Sequence, residues 1–179
     1  MDKRFGSYLV VALLGLAGLL LMARPLGAVP LPPQNREEFV KAVTAGARGA
    51  KVETLTIDRD FDEVYKSIEA RTGQCLDITV ERTANVGYVE HTSADYNPTL
   101  KRMGRDQAQF ALQVIHNPRA VGEKTGPGGL YIMAADLKRA GAGRTEVVLY
   151  RPTIGFKNIY QGFVEWAQGT SSDCPKIRY

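Results

Sequence analysis

The sequence predicts an α+β fold: an antiparallel β-sheet of about five to six strands, with a long helix from the N-terminal half and a C-terminal helix packed on one face. Three observations carry this. Residues 61–68 and 156–167 place apolar side chains at helical spacing. Residues 76–151, between them, alternate with a period of two. No helical stretch interrupts that run, so its strands pair with their sequence neighbours as a meander.

The elements follow in order. Residues 29–34, Val-Pro-Leu-Pro-Pro-Gln, contain three prolines and read as an extended linker. Asn35 and Glu38 have capping-box spacing and predict a short helix over 36–45, with Phe39, Val40 and Val43 on one face. Gly46 and Gly49 end it. A strand over 51–58 interleaves Val52, Leu55 and Ile57 with Thr54 and Thr56. Asp60, with Glu63 three residues on, caps the long helix, whose buried face is Phe61, Val64, Tyr65 and Ile68; Gly73 is the expected stop. Strands are then expected over 76–82, 86–92, 109–116, 130–137 and 145–151. Asn85, Asn97-Pro98, the Gly/Pro-rich stretch 117–129 and residues 141–143 separate them. In the final helix Phe156, Ile159, Tyr160, Phe163 and Ala167 share a face, Trp166 lies at its edge and Gly169 ends it. Each helix has one apolar stripe, so the helices belong on one face of the sheet.

This order of elements, over roughly residues 51–170, resembles the helix-grip architecture of the START and Bet v 1-like superfamily, in which a curved sheet wraps a C-terminal helix. The chain departs from it in having one helix, not two, after the first strand. What the resemblance implies is an apolar cavity between the sheet and the final helix. The candidate lining is Phe156, Ile159, Tyr160 and Phe163 of the helix, with Tyr131 and Met133 of the strand over 130–137. Filling a core would use the same residues.

Composition bounds the rest. With 179 residues, 44% hydrophobic and 23% charged, the chain is neither disordered nor a multi-span membrane protein. Residues 1–28 read as an export segment. Lys3 and Arg4 precede an apolar run over 8–23, and Arg24-Pro25-Leu26-Gly27-Ala28 breaks it before a cut after Ala28. The alternative is retention as a single N-terminal anchor; residues 8–23 would then be the one membrane contact. Either way the charge order places the remainder outside the cytoplasm, in a periplasm or cell envelope. The three divisions are thus the export segment 1–28, the linker and short helix 29–50, and the α+β domain 51–179. Removing the export segment takes Asp2, Lys3, Arg4 and Arg24 and lowers the net charge from +4 to about +2, which gives no case for nucleic-acid binding. Cys75 and Cys174 are the only cysteines, and in an oxidising compartment the pair reads as a disulfide between two helix ends.

No cofactor or metal is expected, and no catalytic residue is singled out. His91 and His116 lack a nucleophile signature. Gly126-Pro127-Gly128-Gly129 precedes a strand, not a helix, so it is a hairpin loop and no phosphate cradle. Lys101, Arg102 and Arg105 read as a solvated loop. The acidic group Asp58, Asp60, Asp62 and Glu63 reads as helix capping in preference to a calcium site. The leading functional expectation is an exported, non-enzymatic domain that binds a small apolar ligand under the final helix. The alternative is an envelope protein-interaction module without a ligand, and an enzyme ranks third.

Overall fold

Six strands pair in the order β1-β6-β5-β4-β3-β2, every neighbour antiparallel. The structure, a computed structural model, describes residues 32–47, 49–85, 89–118, 125–152 and 155–177. The expected export segment, with its apolar run and the cut after Ala28, lies outside the described residues, as does Lys124 of the glycine-rich loop. The elements are α1 (Arg36–Thr44), β1 (Ala50–Ile57), α2 (Phe61–Cys75), β2 (Ile78–Asn85), β3 (Val89–Arg102), β4 (Gln107–Asn117), β5 (Leu130–Arg139), β6 (Thr145–Pro152) and α3 (Lys157–Gln168). This is a helix-grip-like arrangement: an antiparallel sheet with the C-terminal helix packed across one face. Among the described residues no helix is long and apolar enough to cross a membrane.

Alternation along the strands separates two faces. On the inner face, Phe110, Leu112, Val114, Met133, Ala135, Leu137, Val147 and Leu149 meet Phe61, Val64 and Ile68 of α2 and Ile159, Phe163 and Trp166 of α3 in one core. α1 packs on the other face, where Phe39 and Val43 cover Ala134, the residue between Met133 and Ala135. Arg36 fixes it there by donating to the Phe110 and Ala135 carbonyls and to Asp136, the last at 2.6 Å. The α1 cap forms as the sequence predicts. Asn35 accepts from the Glu38 N–H, and the Glu38 carboxylate returns to Asn35 Nδ2 and the Gln34 N–H.

Several boundaries differ from the sequence expectation. α2 runs through Gly73 to Cys75, where Leu76 closes the last turn on the Thr72 carbonyl. Its Asp60 cap bonds the Asp62 N–H, while Glu63 pairs with Arg59 at 3.8 Å. Asn97-Pro98 does not break the chain: it lies inside β3, with Pro98 opposite Leu112. β2 ends at Ile78 opposite Tyr96, so Pro98 falls where β3 has a single neighbour and a missing N–H is tolerated. Trp166, expected at the edge of the apolar face of its helix, is fully buried.

The loop before β5 is a tight turn, with the Gly129 N–H donating to the Gly126 carbonyl. Glycine is required at both positions. A Cβ on Gly126 would stand 2.2 Å from the Gln34 carbonyl oxygen, and one on Gly129 would stand 2.2 Å from that of Val114. Gln113 Nε2 holds the turn by donating to the Pro127 and Gly129 carbonyls.

Candidate functional site

α3 sits over the sheet on a stripe of Ile159, Tyr160, Phe163, Trp166 and Ala167, all buried. The space beneath it is filled. Phe163 packs against Phe110 with tilted rings whose centroids are 4.8 Å apart, and both, like Met133, are fully buried. Of the six candidate lining residues, Phe163 and Met133 therefore belong to the core. Tyr131 is on the opposite face, stacked on Phe39 of α1 at 5.6 Å. The cause is a β-bulge. Met133 pairs with Leu112 while Tyr131 pairs with the adjacent Gln113, so Ile132 is an extra residue and the alternation resets.

Tyr160 is anchored from both ends. Its hydroxyl donates to the Ile132 carbonyl at 3.0 Å, and the Arg151 guanidinium lies 5.0 Å from its ring centre. Burial holds the phenol above the usual tyrosine range. Arg151 also donates to Glu53 at 2.9 Å, which holds that carboxyl below its ordinary range. Together with Leu149 and Val164 these residues border a cleft of about 340 Å³ where α3 faces β1 and β6.

The N-terminal end of α3 is built differently. Gly155 and Phe156 are both left-handed, with φ 77° and 51°. For a residue with a Cβ that conformation costs about 1–2 kcal/mol. Phe156 offers the helix no side-chain cap, and its half-buried ring meets Tyr96 edge-on at 6.5 Å. Beside it lies a cavity of about 220 Å³ lined by Phe156, Ile159 and Ile177, with Gly155, Lys157, Asn158 and Lys176 around them. Of the predicted residues, this cavity contains Phe156 and Ile159.

One wall of that cavity is the C-terminal tail, which runs back along α3. The Trp166 indole N–H donates to the Asp173 carbonyl at 3.0 Å, Pro175 lies over Gly162, and Asn158 Nδ2 donates to the Lys176 carbonyl at 2.9 Å. The Cys75–Cys174 disulfide ties the tail to the end of α2, with Cα atoms 5.2 Å apart. Lys176 and Ile177 were not expected at the site. Their one signal in the sequence is an aliphatic residue just beyond a bridged cysteine.

The remaining candidates have structural roles. Arg102 is exposed, as expected, but it ends β3 and does not lie in a loop; it pairs with Asp62 and lies 5.2 Å from the ring centres of both Phe61 and Tyr65. Arg139 joins Asp60, Asp62 and Asp106, so Asp60 and Asp62 of the acidic group are held by arginines. Arg102 first, then Arg139, holds the Asp62 carboxyl below the usual range. Exposed His91 contacts the Thr83 hydroxyl at 3.1 Å.

No protein-family model and no curated protein matches the chain. Among solved structures it is similar to the crystal structure of DynU16, a protein of the dynemicin biosynthetic locus, at 14% identity and a TM-score of 0.33. The match covers 73% of this chain and 50% of that one, so the chain spans about half the length of DynU16. At that level of similarity no function carries across.

Proposed function

We propose that the chain is an exported, non-enzymatic domain that seats a small apolar molecule at the N-terminal end of its final helix. The observation that carries this reading is the cavity of about 220 Å³ with Phe156, Ile159 and Ile177 as its apolar surfaces. An apolar depression with a few polar groups at its rim is the common form of a small-molecule site. The seat lies at the end of α3, not beneath it, because Phe163 and Met133 fill the space below. Among the described residues Lys157 and Lys176 border it and no carboxylate does, which suits a ligand with an acceptor group at one end. The disulfide supports export, since such bonds persist outside the reducing cytoplasm.

Titration with N-phenyl-1-naphthylamine, a neutral apolar fluorophore, tests the reading. Saturable binding that Phe156→Ala weakens is the expected result; a wild-type protein that shows none sinks it. Export is tested separately by a C-terminal reporter active only outside the cytoplasm. Leu14→Arg with Leu19→Arg should silence it, each charge costing about 2.5–3.5 kcal/mol on insertion.

The second reading, an envelope interaction module without a ligand, draws on the filled interior beneath α3. Against it, Val52 and Met103 are the large apolar side chains that stand exposed among the described residues, and two isolated side chains make no docking patch.

A further inference from the structure

We propose that the Cys75–Cys174 bridge controls ligand binding: it holds the C-terminal tail as a wall of the seat, and its reduction releases the wall and the ligand together. The proposal rests on reading the cavity beside Phe156 as a ligand seat.

Two of the residues around the cavity, Lys176 and Ile177, come from the tail. They sit immediately beyond Cys174, so whatever positions that cysteine positions them. Among the described residues, the tail beyond Ser171 is held, apart from the bridge, by the Trp166 and Asn158 hydrogen bonds and by the contacts of Pro175 and Ile177. Those few contacts oppose the backbone freedom that residues 170–177 regain on release. The bridge is the covalent constraint that decides the balance. Its loss therefore removes Ile177 from the seat, while α3 keeps the contacts of Ile159 and Phe163 with the sheet and gives up the Trp166 and Asn158 hydrogen bonds to the tail.

The two sulfurs differ in access. Cys75 is 3% exposed, whereas Cys174 is on the surface. An external dithiol, either a thiol-exchange protein or dithiothreitol, supplies the two electrons. Its thiolate attacks Cys174 Sγ, the S–S bond breaks, and Cys75 leaves as a thiolate that takes up a proton. The second thiol of the reductant then attacks the mixed disulfide. Cys174 leaves and is protonated, and the reductant ends as a disulfide.

The test titrates N-phenyl-1-naphthylamine into the oxidised chain and into the chain reduced with dithiothreitol and alkylated. Far-UV circular dichroism and hydrogen exchange are recorded on both. The expected result is binding to the oxidised form and binding at least roughly tenfold weaker in the reduced form, because a wall that must be ordered costs affinity. Circular dichroism should be unchanged, and exchange should accelerate over 170–177. Ile177→Ala, which keeps the bridge, should weaken binding in the same direction. Equal affinity in the two redox forms overturns the proposal and leaves the seat standing. Global loss of the dichroism signal on reduction also overturns it, because the bridge then holds the fold and not the wall. An oxidised chain that binds no probe removes the seat itself, and the proposal with it.

Discussion

At its C-terminal end α3 is tied down by polar groups that are nearly all spoken for. Arg59 donates to the Trp166 and Ala167 carbonyls, Ser67 adds a bond to Trp166 at 2.8 Å, and Thr145 anchors Arg59 through its carbonyl. The Arg139 network closes the same end of the sheet. At the N-terminal end, by contrast, the helix starts from a left-handed Phe156 with no side-chain cap, beside a cavity. The two ends show where this fold spends its interactions. One end has its donors matched to acceptors. The other accepts backbone strain and keeps an apolar hollow, and strain of that kind collects where a ligand is met.

Three changes separate the ends, from the largest effect to the smallest. Phe163→Ala, in the filled stripe between them, should cost about 3–5 kcal/mol in denaturant titration; a loss below about 1 kcal/mol would mean that the interior is a cavity after all. Arg139→Met at the polar end should lower stability by less, and it should flatten the acid limb of the pH profile. Asp62 has its folded pKa below the ordinary value, so its contribution is present above the unfolded carboxylate range and lost as pH falls through the folded pKa. The variant loses part of that dependence; an unchanged acid limb would show that the network is ornamental. The alkaline limb has the opposite sign. Burial raises the Tyr160 phenol above the ordinary tyrosine range, so its contribution to stability is full below that range and declines as pH climbs past it. Urea midpoints across pH measure both limbs. Phe156→Gly at the strained end should shift stability by no more than about 1 kcal/mol, relief of the left-handed conformation offsetting the lost ring contact. It should still reduce probe binding. A large loss of stability would make Phe156 an ordinary core residue.

Much of the architecture was legible in the sequence because its signals are local. The 3.6 and 2.0 periodicities placed α2, α3 and the five strands that follow α2, and the Asn35–Glu38 spacing placed α1. The disulfide was legible from the only two cysteines, each expected just past a helix end. What was hidden depends on pairing. Pro98 looks like a break until β2 is seen to stop one neighbour short of it. Tyr131 and Met133, two apart, should share a face, and only the bulge at Ile132, set by the register with β4, moves them to opposite ones. The partners of the exposed Arg102 were hidden because Asp62, Phe61 and Tyr65 lie on a different element. Lys176 and Ile177 were missed because a tail after the last helix has no periodicity to read.

The strand order has a kinetic meaning. β3, β4, β5 and β6 pair with neighbours in sequence, but β1 joins the sheet through β6, with Ile57 opposite Thr145. α1 rests on Ala134, Tyr131 and Tyr150, all far downstream. Contacts that close long loops form late, after the hairpins that make them worthwhile. The first elements synthesised are thus among the last to settle, and until β6 is in place β1 has no partner. Val43→Ala should accelerate unfolding and leave the folding rate nearly unchanged, whereas Leu112→Ala should slow folding. During synthesis α1 and β1 consequently wait for β5 and β6 until most of the chain has been made.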